Sequence, residues 1–430
     1  FAPGHRFGLF PAGSLGWIVS EEKIMRHLKP YVSYLKLRVS YGIVGNDLVS
    51  GSERFLYLPD VYSTNNGNYY NFGINSSQKV VAAEESKKGN PNVTWETAAK
   101  QNYGVDLYLF DDRLKTTFDY FIEHRKDILL SRKILPGFLS VELPTMNLGK
   151  VDNKGYEVSV KWEDKVKDFG YYIGVNLSYA KNTVVYQDEI PQPYSYMELT
   201  GKPVGSFQGY TSDGFFTEEE VANYAVEKGK NIPDYGDGFE PHAGDAKYKD
   251  LNHDNKIDYL DKGVIGYPKY PLFTGGLNFG FSYKGFDLST TWQGAAKASR
   301  RLDDIWRNPF GALNTQSLLR YHVDNAWTPE KGNSAQAPKI SFHNKTHNYD
   351  DSDLWLRDAS YIRLKNIEVG YTLPKSIVQK MHISQLRIYL SGYNLLTFDK
   401  FGILDPETAN TYFGNYPVVK VVNLGIKLSF

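Results

Sequence analysis

The stretch Val418–Phe430, VVKVVNLGIKLSF, decides the fold. From Val422 every second residue suits lipid: Val422, Leu424, Ile426, Leu428 and Phe430, with Asn423, Gly425, Lys427 and Ser429 between them. A side-chain period of two specifies a strand with one apolar and one polar face. A soluble chain rarely ends on such a strand without a tail. A transmembrane barrel must, because its last strand pairs with its first so that no edge is left in lipid.

Composition agrees. The 430 residues carry 49 Lys+Arg and 49 Asp+Glu, a net charge of zero, which gives no field for nucleic acid. Mean hydropathy is −0.45 and no apolar run of 18 residues occurs, so helical spans are excluded. Alternating strands average to such values. The 33 Tyr, 24 Phe and 38 Gly suit a barrel with aromatic girdles. With no cysteine, disulfides, thiol catalysis and Cys-based zinc sites are ruled out. Residue 1 is a Phe next to a strand-like segment, so the chain is expected to be a fragment or processed product.

Eleven alternating segments can be marked: Phe7–Val19, Leu35–Ile43, Tyr103–Leu109, Leu114–Ile122, Tyr156–Trp162, Ile173–Tyr179, Leu277–Tyr283, Phe286–Trp292, Ile367–Leu373, Leu386–Leu395 and the C-terminal strand. Their polar faces carry Lys36, Arg38, Asp106, Glu157, Lys161 and Glu368, as a watery lumen allows and a sandwich core does not. Short links alternate with long ones at Asp47–Glu96, Asp127–Lys154, Thr183–Thr274, Lys297–Asp358 and Phe398–Pro417. Outer-membrane barrels have short periplasmic turns and long external loops. The reading is an all-β chain, about eleven strands of a large antiparallel transmembrane barrel spanning 1–430, with a long extracellular loop at 183–273. Because strands one and eleven both descend, the barrel's first strand is expected to lie outside this sequence.

The sharpest loop signal is GDAKYKDLNHDNKIDYLD at Gly244–Asp261. Counted from Asp250, oxygens fall at calcium-loop positions 1, 3, 5, 9 and 12 (Asp250, Asn252, Asp254, Asp258, Asp261), with the Lys256 carbonyl at 7. Asn255 replaces the turn glycine and Asp261 the usual Glu, so the alternative is a solvated Asp/Asn turn. The expectation is a structural calcium ion. Thr217 and Glu220 form a capping box opening a short helix. Tyr194, Tyr196, Trp306, Trp327 and Trp355 lie in long loops, where they could stack on sugars, meet a partner or pack the loops together. His242, His253, His343 and His347 lack paired metal spacing, and Asp303–Asp304 and Asp350–Asp351 are read as solvated charges. No catalytic constellation stands out, so the chain is not read as an enzyme.

RFGLFPAGSLGW at Arg6–Trp17, GDAKYKDLNHDNKID at Gly244–Asp258, SDLWLRDASYIRLKNIEVGYTLP at Ser352–Pro374 and LRIYLSGYNLLTF at Leu386–Phe398, with NPNVTWE at Asn90–Glu96, are recognisable. The chain resembles the C-terminal part of SusC/RagA-type TonB-dependent transporters of the Bacteroidota outer membrane. The family usually has glycine where His253 and Asn255 stand. The resemblance implies a 22-stranded, multi-pass barrel plugged by an N-terminal domain, driven through a TonB box, and lidded by a SusD-like surface lipoprotein. It also implies a dimer of such pairs and import of oligosaccharides or peptides. The plug and TonB box are not in these residues. The alternative role is a scaffold subunit of a larger outer-membrane assembly.

Overall fold

The computed structural model describes residues 1–47, 55–58, 61–134, 143–310, 317–408, 416 and 418–430. Eleven strands form one antiparallel sheet in which each strand pairs with the next wall strand in the chain. They are β1 Ala12–Ile18, β2 Val32–Asn46, β3 Glu96–Leu109, β4 Leu114–Leu130, β5 Met146–Val166 and β6 Phe169–Tyr186. The rest are β7 Phe273–Tyr283, β8 Phe286–Ala296, β9 Tyr361–Thr372, β10 Gln385–Asp399 and β11 Val421–Ser429. All eleven expected segments are strands, and most run further than alternation marked. A spanning strand needs about 9–11 residues. Strand β5 has 21, so the wall rises well past that length. The first segment is shorter than expected. β1 starts after Pro11, which has no N–H for the ladder, although the Pro11 carbonyl still accepts from the Ile43 N–H at 2.9 Å.

The two faces differ as the period requires. On one, the register aligns Val39, Tyr103, Tyr120, Tyr156, Tyr179 and Phe273 across β2 to β7. Ring centroids are 5.3 Å apart for Tyr156–Tyr179 and 4.7 Å for Tyr179–Phe273. A second aromatic row, Phe169, Tyr283, Phe286 and Tyr371, lies at the short-turn end. On β7 the rows are ten residues apart, Phe273 to Tyr283. That is roughly 33 Å along a strand, or about 25 Å vertically at barrel tilt, the height of an apolar band between two girdles. β11 extends this face, with Leu424 opposite Leu390 and Ile426 opposite Ile388. β1 and β11 are the sheet's edges and run the same way, so they cannot pair antiparallel with each other.

At one end the strands are joined by two to four residues (110–113, 167–168, 284–285) or by short helical turns. One such turn is Lys375–Val378, with Pro374 as its N-cap. The other end carries the long connections. The first holds an unforeseen hairpin, Val61–Phe72 with Gln78–Lys87. Parts of that loop, of residues 131–145 and 297–360, and of the Phe398–Pro417 connection lie outside the described residues.

Candidate functional site

The opposite, polar face has a recess of about 580 Å³ between β4 and β8. Asp119, Glu157, Ser159, Asn176, Asn278 and Gln293 line it. It exists because Gly276 faces inward: a Cβ there would stand 2.6 Å from the Asn176 amide oxygen. Amides and hydroxyls with two carboxylates can exchange hydrogen bonds with a neutral polar solute. Alternation had marked Glu157 but not these amides. The signal was present, since Ser159, Asn176 and Asn278 occupy polar-face positions of β5, β6 and β7.

Two arginines strap this face. Arg38 donates through Nε and Nη2 to Asp106 at 2.9 and 3.0 Å, and through Nη2 to Asp119 at 3.0 Å. It lies flat over Gly104, where a Cβ would meet its Cζ at 2.6 Å. Arg387 repeats the device over Gly370, with Asp287 and with Glu368 at 2.7 Å. Bidentate pairs of this kind have fixed geometry, and they brace strands without an apolar core. Higher up, the buried Arg363 donates to Asp405 at 2.7 Å and to Glu407, while Lys365 and Tyr361 reach Glu407 at 3.1 and 2.8 Å. Residues 405–408 are thereby drawn down onto the wall. Asp405 and Glu407 lie in the Phe398–Pro417 connection, where no alternation or motif marks them.

Above the wall, two long loops close on each other. Gly244, with φ of +94° and a hypothetical Cβ 2.6 Å from Trp327, opens the motif. Asp245 is 1% exposed and accepts from the His242 N–H at 2.8 Å and from the Asn344 and Asn348 amides at 2.7 Å each. The Asn348 carbonyl oxygen of the side-chain amide accepts from the Ala246 N–H at 2.9 Å. His347 Nε2 meets the Ala246 carbonyl at 2.7 Å, and the Tyr248 hydroxyl donates to the His347 carbonyl at 2.7 Å. Burial holds the His347 imidazole below its ordinary pKa. The capping box forms, with Thr217 Oγ1 accepting from the Glu220 N–H at 3.2 Å. Glu220 also binds Lys247 at 2.6 Å, tying the helix Glu218–Glu227 to the motif.

The residues expected to hold calcium form a self-closed turn. Asp250 accepts from the backbone N–H of His253, Asp254 and Asn255 at 2.6, 3.3 and 2.7 Å. Asn252 accepts from Asp254 at 3.1 Å, Asp254 from Lys256 at 2.9 Å and Asp258 from Leu260 at 2.7 Å. Asp261, fully buried, accepts from Leu251 at 2.8 Å and Asp258 at 2.9 Å, and burial raises its carboxyl pKa. His253 and Asn255 both have left-handed φ, +62° and +60°, which explains why glycine would serve there. Among the described residues no group of three or more His, Asp or Glu is gathered to hold a metal. Backbone N–H groups thus pre-form this turn, whose Asp250, Asn252, Asp254, Asp258 and Asp261 oxygens keep the calcium-loop spacing.

The loop aromatics divide. Tyr194 and Tyr196 stack, centroids 5.3 Å apart and planes 7° apart; Tyr194 is 38% exposed, and the Tyr196 hydroxyl donates to the Leu260 carbonyl at 2.8 Å. Trp306 is half-buried, edge-on to Tyr321 at 6.0 Å. Trp327 and Trp355 are 7% and 1% exposed, which favours the last of the three roles open to them. Trp355 sits in a cluster with Ala337 and Tyr349 and donates to the Asn348 carbonyl at 3.2 Å. They are loop packing. The acid pairs are matched by cations: Asp303 and Asp351 by Arg301, Asp351 by Arg307, Asp350 by Lys262. The side chain of Asp304 lies outside the described residues.

An eleven-strand antiparallel meander with girdles, a charged inner face and loops at one end has a family counterpart. Residues 5–395 match the family described as "TonB dependent receptor-like, beta-barrel". The chain belongs to that family. It is 29% identical to TonB-dependent receptor P3 of Formosa agariphila, covering 100% of the chain and 42% of the relative. It is 26% identical to TonB-dependent receptor SusC of Bacteroides thetaiotaomicron, covering 100% and 41%. Its fold overlays that of the RagAB peptide importer in the closed-closed state with a TM-score of 0.74 at 22% identity, covering 100% and 44%. These matches bear out the SusC/RagA-type resemblance, and the chain spans less than half the length of each relative. The family is one of outer-membrane receptors rather than an enzyme class.

Proposed function

We propose that this receptor chain forms part of the wall and loop cap of a TonB-dependent importer of oligosaccharide or peptide nutrients in a Bacteroidota-like outer membrane. The observation that carries the reading is the wall itself: a girdled apolar face backed by a polar face with a solute-sized recess. On this reading the remaining strands and an energy-coupled plug come from the rest of the receptor. A SusD-like lipoprotein closes over the seam between the two long loops, and two such pairs form a dimer. Solute captured near Tyr194 and the loops descends past the recess when the plug yields.

Uptake of labelled oligosaccharide and peptide pools by cells carrying the full-length receptor tests this. Uptake should be lost when TonB is deleted and restored by its return. Uptake indifferent to TonB would favour the scaffold role, for which the broad loop platform is the supporting feature.

A further inference from the structure

The apolar face carries two charges that nothing in the wall uses. Lys154 on β5 and Lys181 on β6 are direct cross-strand partners. Each stands two residues beyond its girdle tyrosine, Tyr156 or Tyr179, on the long-loop side, so both ammonium groups leave the lipid face just above the aromatic row. Both are exposed, and among the described residues neither has an ion-pair or side-chain hydrogen-bond partner. The nearby acid on this face, Asp152, is held by His124 at 2.8 Å. Like charges directly opposite one another destabilise a ladder. Lys126 on β4 lies on the same face beyond Tyr120, and the Lys297 ammonium reaches to 5.5 Å from the centre of the Phe273 ring. The upper girdle is thus topped by Lys154, Lys181 and Lys297, with Lys126 six residues above Tyr120.

Directly below runs a groove of about 590 Å³ between β6 and β9. Its floor is the register row Leu177, Gly275, Gly294 and Ile362, one row beneath the Tyr179–Phe273 contact. Two adjacent glycines leave a furrow in an otherwise filled apolar face, and Trp292 and Phe273 flank it. The groove floor on β6, Leu177, is four residues from Lys181, about 13 Å along the strand. That suits a single molecule with an anionic head and an apolar chain.

We propose that this face binds a phosphate-bearing lipid of the outer leaflet, its phosphate between Lys154 and Lys181 and one acyl chain over Gly275 and Gly294. The assignment rests on the reading that the wall spans the outer membrane with its long loops outward. A phosphate relieves the lysine–lysine repulsion, and the girdle tyrosines mark the interface at which such a head group lies. The apolar furrow fits a lipid, which a free anion would not need.

The test is native mass spectrometry of the full-length receptor in detergent, titrated with monophosphoryl lipid A, its dephosphorylated form and inorganic phosphate. The phosphorylated lipid should bind about thirtyfold more tightly than the dephosphorylated one, the ratio for two interfacial lysines. The Lys154→Gln/Lys181→Gln receptor should lose that margin, and Lys154→Arg/Lys181→Arg should keep it. Equal binding of the two lipids by the wild-type receptor would overturn the proposal, as would full affinity in the Gln variant. Displacement by millimolar inorganic phosphate would assign a bare anion site and overturn the lipid. The lipid comparison needs no variant, so it stands even if a substitution impairs assembly. Outer-membrane fractionation and heat-modifiable migration of the wild-type receptor report separately on the membrane-spanning reading.

Discussion

At the scale of single residues, arginine and glycine do together what a core does elsewhere. Arg38 over Gly104 and Arg387 over Gly370 lie flat because no Cβ intervenes. Each lashes neighbouring strands across a face that must stay polar. Arg363 is the most committed of the three, being 1% exposed with Asp405 and Glu407 as partners. Arg363→Met should leave both carboxylates without their shared cation, a loss of about 3 kcal/mol or more. Hydrogen exchange in residues 401–408 should then rise sharply; unchanged protection would mean the segment is anchored by other contacts. Of the five loop aromatics singled out from the sequence, Tyr194 is the one that offers an exposed stacked ring. Tyr194→Ala should raise the half-saturation for uptake roughly fivefold, the effect of about 1 kcal/mol of stacking. Surface labelling should be unaltered, and an unchanged half-saturation would remove Tyr194 from the solute path.

At the scale of elements, alternation located every wall strand, because a period of two survives whether the partner is lipid, water or protein. It misplaced ends. The extensions of β5 and β6 beyond the girdle carry charged or small residues on both faces, including Lys154, Gly155 and Lys181, so no alternation marks them. The loop motif was visible as a motif but not as a seam, since Asn344, His347 and Asn348 join it from about a hundred residues away. Spacing alone favoured calcium in the turn. In the fold every carboxylate of that turn already accepts a backbone N–H. If those oxygens also hold the proposed calcium ion, chelation with EGTA should lower exchange protection of residues 250–261 and added calcium should restore it; unchanged protection would leave the turn to its backbone N–H groups alone.

The seam should also sense acid. His347 is held neutral by burial, so its contribution is present above its ordinary pKa near 6.5 and is lost as pH falls through the depressed value. Asp261 and Asp353, whose pKa values burial raises, act in the opposite sense. Comparison with His347→Gln, which can keep the donor to Ala246, isolates the imidazole. Between pH 7.5 and 5.5 the wild-type seam should lose exchange protection relative to that variant, and parallel behaviour would place the sensitivity elsewhere.

At the scale of the molecule, the C-terminal stretch Val418–Phe430 has a definite place. β11 descends beside β10 as one edge of the sheet, its Leu424 and Ile426 continuing the apolar face and Asn423 the polar one. On the proposed function, solute moves along the polar face of this wall while the other face meets lipid. The absence of native cysteine in the 430 residues permits a clean test of it. Single cysteines would be placed at Ser159 and Asn176 on the polar face, and at Val160 and Val175 on the apolar face, in the full-length receptor. TonB-dependent uptake would then be measured before and after a bulky, membrane-impermeant thiol reagent. Modification and loss of uptake are expected at Ser159→Cys and Asn176→Cys, with Val160→Cys and Val175→Cys unmodified and fully active. Equal labelling of both faces, or undiminished uptake after labelling at Ser159→Cys and Asn176→Cys, would contradict it.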